Sequence, residues 1–83
     1  MKKFSACSIV MEKGKQIFLQ KLGRRISELR ENKGLNQSQL AIECDKDRQS
    51  INRLEKGNIN PSAYYLLQIS KALDVKLKDL LDF

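Results

Sequence analysis

Residues 37–54 read QSQLAIECDKDRQSINRL, and the pattern predicts two short helices joined by a very tight turn. The first helix spans about residues 37–44, and the second begins at Asp47, whose side chain can cap it. Only residues 45–46 lie between them. A turn this short cannot place two helices antiparallel, so we expect a steep crossing at which the small Ala41 lets the two backbones approach closely.

The second of these helices has an apolar side and a polar side. Ile51 and Leu54 lie at helical spacing and predict the side that packs on a core. The polar side carries Arg48, Gln49, Asn52 and Arg53. Arg, Gln and Asn can form paired hydrogen bonds with base edges in the major groove of DNA, but they also build ordinary solvent-facing helix surfaces. Composition leaves both interpretations open, and the steep turn favours the nucleic-acid surface.

Helical apolar spacing also predicts a first helix from Ile17 to near Gly34, where glycine can adopt the left-handed conformation that ends a helix. Its apolar face comprises Phe18, Leu22, Ile26 and Leu29. Asn36 and Ser62 can cap the second and fourth helices. A short fifth helix carries Leu77, Leu80 and Leu81. Five consecutive helices without a strand pattern predict a compact all-α fold.

Composition excludes several classes of protein. The 83 residues contain no His, the commonest general base and metal ligand, and Cys7 and Cys44 have no metal-ligand spacing. Because no nucleophile–base pair is present, we expect no enzyme activity, no catalytic residue, no metal and no cofactor. A chain this short hides only roughly 60% of its unfolded surface, which leaves no room for a separate small-molecule effector domain.

The basic residues are concentrated at one end of the chain. Lys and Arg number 16 against 10 Asp and Glu, a formal net charge of +6. Residues 1–33 hold nine of the bases and three of the acids, which accounts for the whole excess. Such an end attracts a polyanion through a long-range field. On charge alone, a nucleic-acid partner and a simple solvated surface are about equally favoured.

Residues 1–16 are expected to form a poorly ordered N-terminal arm that precedes a domain of residues 17–83. The apolar part of this arm is short and interrupted by serines, which argues against a secretory signal. No apolar run approaches the ~20 residues that span a bilayer, so we expect no membrane partner. Two cysteines without an evident pairing favour the reducing cytoplasm.

Several short motifs follow one another between Leu22 and Leu81. They read LGRRI at 22–26, KGLNQ at 33–37, LA at 40–41, QSI at 49–51, LEKG at 54–57, NPS at 60–62 and ALDV at 72–75. In order and spacing the chain resembles the phage-repressor (Xre/Cro-type) helix-turn-helix family. The resemblance implies a compact five-helix, lambda-repressor-like DNA-binding domain that binds operator DNA in the major groove, usually as a dimer.

The resemblance also assigns roles to individual residues, with a recognition helix at about residues 47–56. The residues expected to contact bases are Arg48, Gln49 and Asn52. The residues expected to contact the DNA backbone are Asn36, Gln37, Arg53, Asn58 and Asn60. Arg30 and Glu55 resemble an internal ion pair that joins the first helix to the end of the third, a role in the scaffold rather than in the site.

Three residues depart from the family pattern. Asp45 stands where the turn usually has Gly, and Asp tolerates the left-handed conformation less well. Lys46 replaces an apolar residue, so we expect weaker packing at the turn. Asp47 places an acid near the DNA backbone, although it also caps the recognition helix. These departures bear on affinity more than on fold.

The C-terminal end is expected to contribute to assembly. Leu77, Leu80, Leu81 and Phe83 are more apolar side chains than one short helix can bury within its own domain. Part of this set is predicted to form a two-fold dimer interface.

The sequence therefore predicts a sequence-specific, double-stranded-DNA-binding transcriptional regulator, most simply a dimeric repressor that reads an inverted repeat. It would be bacterial or phage-encoded, cytoplasmic, and associated with the nucleoid when bound. The alternative is the antitoxin of a toxin–antitoxin pair, which binds a toxin protein and its own operator. The N-terminal arm is the feature that could bind such a toxin.

Overall fold

The computed structural model describes residues 2–83, with side chains from residue 13 onward. In that range the chain forms five helices and no strand: α1 Lys2–Asn32, α2 Gln37–Glu43, α3 Arg48–Glu55, α4 Ala63–Ala72 and α5 Leu77–Leu80. The predicted all-α, five-helix architecture is confirmed. None of these described helices combines the length and the apolarity that crossing a membrane requires.

The first helix starts earlier than the sequence analysis predicted. It begins at Lys2 rather than at Ile17, and it continues without a break to Asn32. No proline occurs before Pro61, and Gly14 is the only residue of high helical cost between Lys2 and Ile17. Nothing there forces the backbone hydrogen bonds to stop. The assignment of residues 1–16 to a separate arm, and the order of that arm, stay predictions.

Side-chain caps start the three middle helices at the predicted positions. Asn36 Oδ1 accepts from the Gln39 backbone N–H at 2.8 Å, and Gln39 Oε1 accepts from the Asn36 N–H at 2.8 Å. Asp47 and Ser62 accept from the backbone N–H three residues further on, at 2.7 and 3.0 Å. Each cap satisfies a donor that a helix leaves unpaired at its N-terminus. The caps therefore set where α2, α3 and α4 begin.

One apolar core joins all five helices. Its fully buried side chains are Leu22, Ile26, Leu40, Ile51, Leu54, Ile69 and Leu80. Burying each of them contributes about 1.5–3 kcal/mol relative to exposure. The apolar face predicted for α1 is shifted at its N-terminal end, because Leu19 is buried there and Phe18 remains 45% exposed.

A close approach between two helices lies at Gly23, where α1 meets the end of α3. A Cβ atom at this position would lie 2.4 Å from the backbone oxygen of Glu55 and 2.6 Å from that of Leu54. Real Cβ atoms do not come this near to a backbone oxygen. The two helices can therefore keep their spacing only while residue 23 is glycine.

We predict that Gly23→Ala destabilises the fold by several times the ordinary effect of a helix substitution. The added methyl group must push α3 away from α1, and overpacking of this kind costs about 1–3 kcal/mol or more. The measurement is the free energy of unfolding from urea titration. Gly14→Ala is the matched control, because its Cβ meets nothing within 4 Å and alanine there should stabilise α1 by up to about 1 kcal/mol. Equal effects of the two substitutions would contradict the close approach.

Candidate nucleic-acid interface

The turn between α2 and α3 is as tight as the sequence predicted. Asp45 adopts φ 58°, the left-handed conformation that the family pattern usually gives to glycine. The Lys46 N–H then donates to the Ala41 carbonyl oxygen at 2.8 Å, which returns the chain across the end of α2. Ala41 is buried at this crossing. The turn packs α3 against α2, with a strained aspartate at its centre.

Tyr65 of α4 contacts both the turn and α3. The Lys46 ammonium lies 4.7 Å from the centroid of the Tyr65 ring, so a residue expected to weaken packing has a cation–π partner. The Tyr65 hydroxyl and Ser50 Oγ of α3 lie 2.6 Å apart in a hydrogen bond. Burial raises the pKa of the Tyr65 phenol, and the Ser50 hydrogen bond partly offsets this. The phenol therefore stays protonated at neutral pH, when it can donate or accept.

The predicted inner and outer sides of α3 are present. Ile51 and Leu54 are buried, and Asn52 is partly buried. Exposed on the outer side are Arg48, Gln49 and Arg53. Arg48 and Gln49 lie in the first turn of α3. This end of the helix presents long polar side chains that no described group holds.

Arg30 and Glu55, the predicted ion pair, join α1 to the last residue of α3. Arg30 Nε donates to Glu55 Oε2 at 2.7 Å and Nη2 donates to Oε1 at 3.1 Å, in the forked geometry of a strong pair. The side chains are only 11% and 7% exposed. Hydrogen bonding to Glu55 raises the pKa of Arg30. Arg30 Nη1 also donates to the Leu35 carbonyl oxygen at 2.8 Å, so the guanidinium additionally holds the α1–α2 connection.

Two amide side chains extend this pair toward the outer face of α3. Gln37 Nε2 donates to Glu55 Oε1 at 3.0 Å, and Asn52 Nδ2 donates to Gln37 Oε1 at 3.3 Å. From the sequence, Gln37 is predicted to contact the DNA backbone and Asn52 a base, but the hydrogen bond between them is not predicted. Gln37 and Asn52 each keep one amide N–H for another partner. The spacing of Gln37, Asn52 and Glu55 along two crossing helices was the only signal in the sequence.

The residues predicted to contact the DNA backbone fall into two groups. Asn36 and Gln37 line an open groove of about 370 Å³ together with Arg30, Ser38 and Arg48. Asn58 and Asn60 are exposed in the loop after α3 and line a second groove of about 260 Å³, whose other wall is formed by α1. The first group therefore adjoins the first turn of α3, whereas the second follows its end.

A family model described as helix-turn-helix, HTH_3, matches residues 26–80. The chain belongs to this helix-turn-helix family. Members of this family are DNA-binding transcription regulators, and this chain is one of them. In this arrangement α2 and α3 form the motif, and α3 occupies the place of the recognition helix.

Two relatives of similar size support the assignment. Control protein C.BamHI of Bacillus amyloliquefaciens is 44% identical over 62 residues, which is 74% of this chain and 76% of that protein. The crystal structure of the restriction-modification controller protein C.AhdI from Aeromonas hydrophila superposes with a TM-score of 0.74 and 39% identity. The match covers 75% of this chain and 94% of the C.AhdI chain.

The clp gene regulator ClgR of C. glutamicum has a similar fold at lower sequence identity. Its structure shows a TM-score of 0.74 at 25% identity, and the match covers 77% of this chain and 83% of ClgR. The helix-turn-helix fold is therefore retained when three quarters of the residues differ.

One residue of the predicted dimer surface is placed differently by the structure. Leu80 is fully buried in the core of the helix-turn-helix domain, so it cannot reach a second subunit. Because α5 is a single turn packed on α1 and α4, one of its leucines must point inward. Leu77, Leu81 and Phe83 remain 38%, 45% and 49% exposed. Phe18 joins them, because its ring centroid lies 5.5 Å from that of Phe83.

Cys44 ends α2 beneath the motif turn as a buried thiol. Burial raises the pKa of this thiol to about 11, and the nearby Glu43 carboxylate acts in the same direction. The thiolate, which is the reactive form, is therefore scarce at neutral pH. Cys44 serves as a small apolar side chain in this helix-turn-helix core.

We predict that Cys44 makes the stability of the protein fall at alkaline pH. In the unfolded chain the thiol ionises near pH ~8.5, whereas in the folded chain it ionises at about 11. Between these values the folded state binds more protons, so the free energy of unfolding decreases as pH rises. Urea titrations at pH 8 to 11 measure this slope. Cys44→Ala should flatten it, and an unchanged slope in that variant would show that the thiol does not contribute.

Proposed function

We propose that this DNA-binding regulator acts as a dimeric repressor that reads an inverted repeat through α3. The observation that carries the proposal is the first turn of α3, where Arg48 and Gln49 are exposed on a helix that packs against α2. A recognition helix enters the major groove with its N-terminal residues leading. No residue is assigned a catalytic role, and the cytoplasm at the nucleoid is the proposed location.

Base contacts are proposed for Arg48, Gln49 and Asn52. The Arg48 guanidinium matches the two acceptors that guanine shows in the major groove. The amides of Gln49 and Asn52 match the donor and acceptor of adenine. The polar atoms of Arg48 and Gln49 have no hydrogen-bond partner among the described residues, which leaves them available for bases.

Backbone contacts are proposed for residues on both sides of α3: Asn36, Gln37, Arg53, Asn58 and Asn60. Four of them are amides and only Arg53 is charged, so most of these contacts would be neutral hydrogen bonds. The long-range attraction to DNA would come instead from the excess positive charge, which lies in residues 1–33.

The dimer is proposed to form through the apolar surface of Phe18, Leu77, Leu81 and Phe83. All four are more than a third exposed although they are large apolar side chains. A two-fold interface here would pair identical surfaces. Two recognition helices about 34 Å apart would then meet two half-sites one helical turn apart.

The genes under control are proposed from the relatives. C.BamHI, named a control protein, and C.AhdI, named a restriction-modification controller protein, each match most of this chain. We therefore propose a promoter of a restriction-modification system as the operator. These names favour the regulator over the antitoxin, and no observation on the described residues supports a toxin partner.

We predict that alanine substitutions distinguish residues that contact bases from residues that contact the DNA backbone. Arg48→Ala and Gln49→Ala should each cost about 1–3 kcal/mol at one base pair per half-site and relax the preference there. Arg53→Ala should weaken binding to all sequences alike. The measurement is the affinity of each variant for every single-base change in an operator selected from random DNA.

The control for this experiment is a residue outside α3. Lys71→Ala removes one exposed positive charge from α4 and should leave the profile of base preferences unchanged. If Arg48→Ala and Gln49→Ala lower affinity evenly at every base pair, α3 does not read the sequence. If the unsubstituted protein selects no sequence, the proposed function itself is wrong.

We predict that charge placed on the apolar surface prevents dimerisation. A Leu81→Lys, Phe83→Lys double variant should sediment as a monomer at concentrations where the parent is a dimer, because two lysine pairs would face each other across the two-fold axis. Ile42→Lys is the control, because Ile42 is a 78% exposed apolar residue on α2. A folded double variant of unchanged mass would exclude this surface, as would a parent that stays monomeric at high concentration.

A further inference from the structure

The hydrogen bonds between α1 and the outer face of α3 have a fixed direction. Arg30 can only donate, and the ionised Glu55 carboxylate can only accept. Glu55 Oε1 takes the Gln37 Nε2 donor at 3.0 Å, so the amide of Gln37 must turn its oxygen the other way. That oxygen meets Asn52 Nδ2 at 3.3 Å. The charge of Glu55 therefore determines which atom Asn52 turns inward.

The consequence for Asn52 is a defined outward edge. Its Nδ2 is directed at Gln37, and its Oδ1 has no hydrogen-bond partner among the described residues. Of the two N–H groups on a primary amide nitrogen, one lies beside the oxygen on the same edge. This edge presents an acceptor next to a donor, which is the pattern that pairs with N6 and N7 of adenine. An inverted amide would exchange donor and acceptor and would no longer match adenine.

We propose that Arg30, Glu55 and Gln37 form a relay that holds the Asn52 amide in the orientation that reads adenine. The relay rests on the proposed function, since it needs Asn52 to contact a base. Glu55 and Arg30 are positioning residues, because they act on the base only through Gln37 and Asn52. Part of the sequence preference would then be set by a buried ion pair that never meets DNA.

Burial supports a role in orienting Asn52, beyond stabilising the packing of α1 on α3. The Glu55 side chain is 7% exposed, so water does not compete effectively for its Oε1. Gln37 and Asn52 are partly buried, whereas the neighbouring Arg48 and Gln49 are exposed. A hydrogen bond kept from solvent holds its partners more firmly than one on the surface. Of the three residues proposed to contact bases, only Asn52 is held in this way.

Glu55→Gln is the decisive substitution. A glutamine at this position can offer either its oxygen or its nitrogen to Gln37, so the direction of the relay is lost while the shape is kept. The base pair read by Asn52 is first identified as the one whose preference Asn52→Ala removes. At that base pair Glu55→Gln should reduce discrimination about 2- to 12-fold, the value of one hydrogen bond. The base pairs assigned to Arg48 and Gln49 should keep theirs.

Two further variants make the result specific. In an Asn52→Ala background, Glu55→Gln should leave the base profile unchanged, because the residue on which it acts is absent. Gln37→Met keeps the Arg30–Glu55 pair and removes both amide atoms, so it should relax the same base pair even if Glu55→Gln folds poorly. Glu28→Gln, which removes a negative charge at an exposed position of α1, should have no effect on the profile.

The outcomes separate the relay from the proposed function. If the unsubstituted protein selects an operator but Glu55→Gln and Gln37→Met lower affinity evenly at all base pairs, the relay is wrong and the function stands. The same holds if Asn52→Ala changes no base preference. If the unsubstituted protein has no sequence preference, the proposed function fails, and the relay fails with it.

Discussion

Glu55 is the residue through which α1 holds the recognition helix. Two parts of Glu55 contact α1, its backbone oxygen and its carboxylate. Its backbone oxygen lies against Gly23, where no Cβ atom fits, and its carboxylate binds the Arg30 guanidinium at 2.7 Å. Breaking a buried pair by removing one partner costs about 3–5 kcal/mol, because the other charge is left without compensation. The backbone contact sets the distance between the helices, and the ion pair sets their register. Both constraints act at the C-terminal end of α3.

The opposite end of α3 is held by different elements. Asp47 caps its first turn, and the Tyr65 hydroxyl reaches Ser50 from α4 at 2.6 Å. Together with Glu55, these contacts fix both ends of a helix that has only eight residues and would be unstable alone. The exposed side chains between the ends are therefore carried on a backbone with little freedom. Such rigidity suits a surface that is proposed to match base edges.

The features predictable from the sequence were those determined locally. Caps at Asn36, Asp47 and Ser62 depend on a side chain and the backbone three residues away, so they could be read directly. The start of α1 could not, because no residue before Ile17 forces a helix to stop or begin. Apolar spacing also could not tell Phe18 from Leu19, since adjacent residues both lie near the edge of a helical face.

Features of the site that depend on tertiary geometry were less predictable. The Arg30–Glu55 pair was expected through resemblance to a family, whereas the Gln37–Asn52 link depends on the crossing of α2 and α3. Leu80 was assigned to the surface because the sequence does not show which leucine of a one-turn helix points inward. Of the four side chains predicted to face outward from α3, Arg48, Gln49 and Arg53 are exposed, because the buried Ile51 and Leu54 define the opposite side, whereas Asn52 is partly buried against Gln37.

The long α1 helix has one more physical consequence. Where the structure describes its side chains, α1 holds six basic residues and two acidic ones, and its contacts with Glu55 join it to α3. In the field of a polyanion, an off-centre charge experiences a torque as well as an attraction. The molecule is therefore turned as it approaches, so that the positive side of α1 faces the polyanion. The torque weakens with added salt, because screening at physiological ionic strength limits the field to about 8 Å.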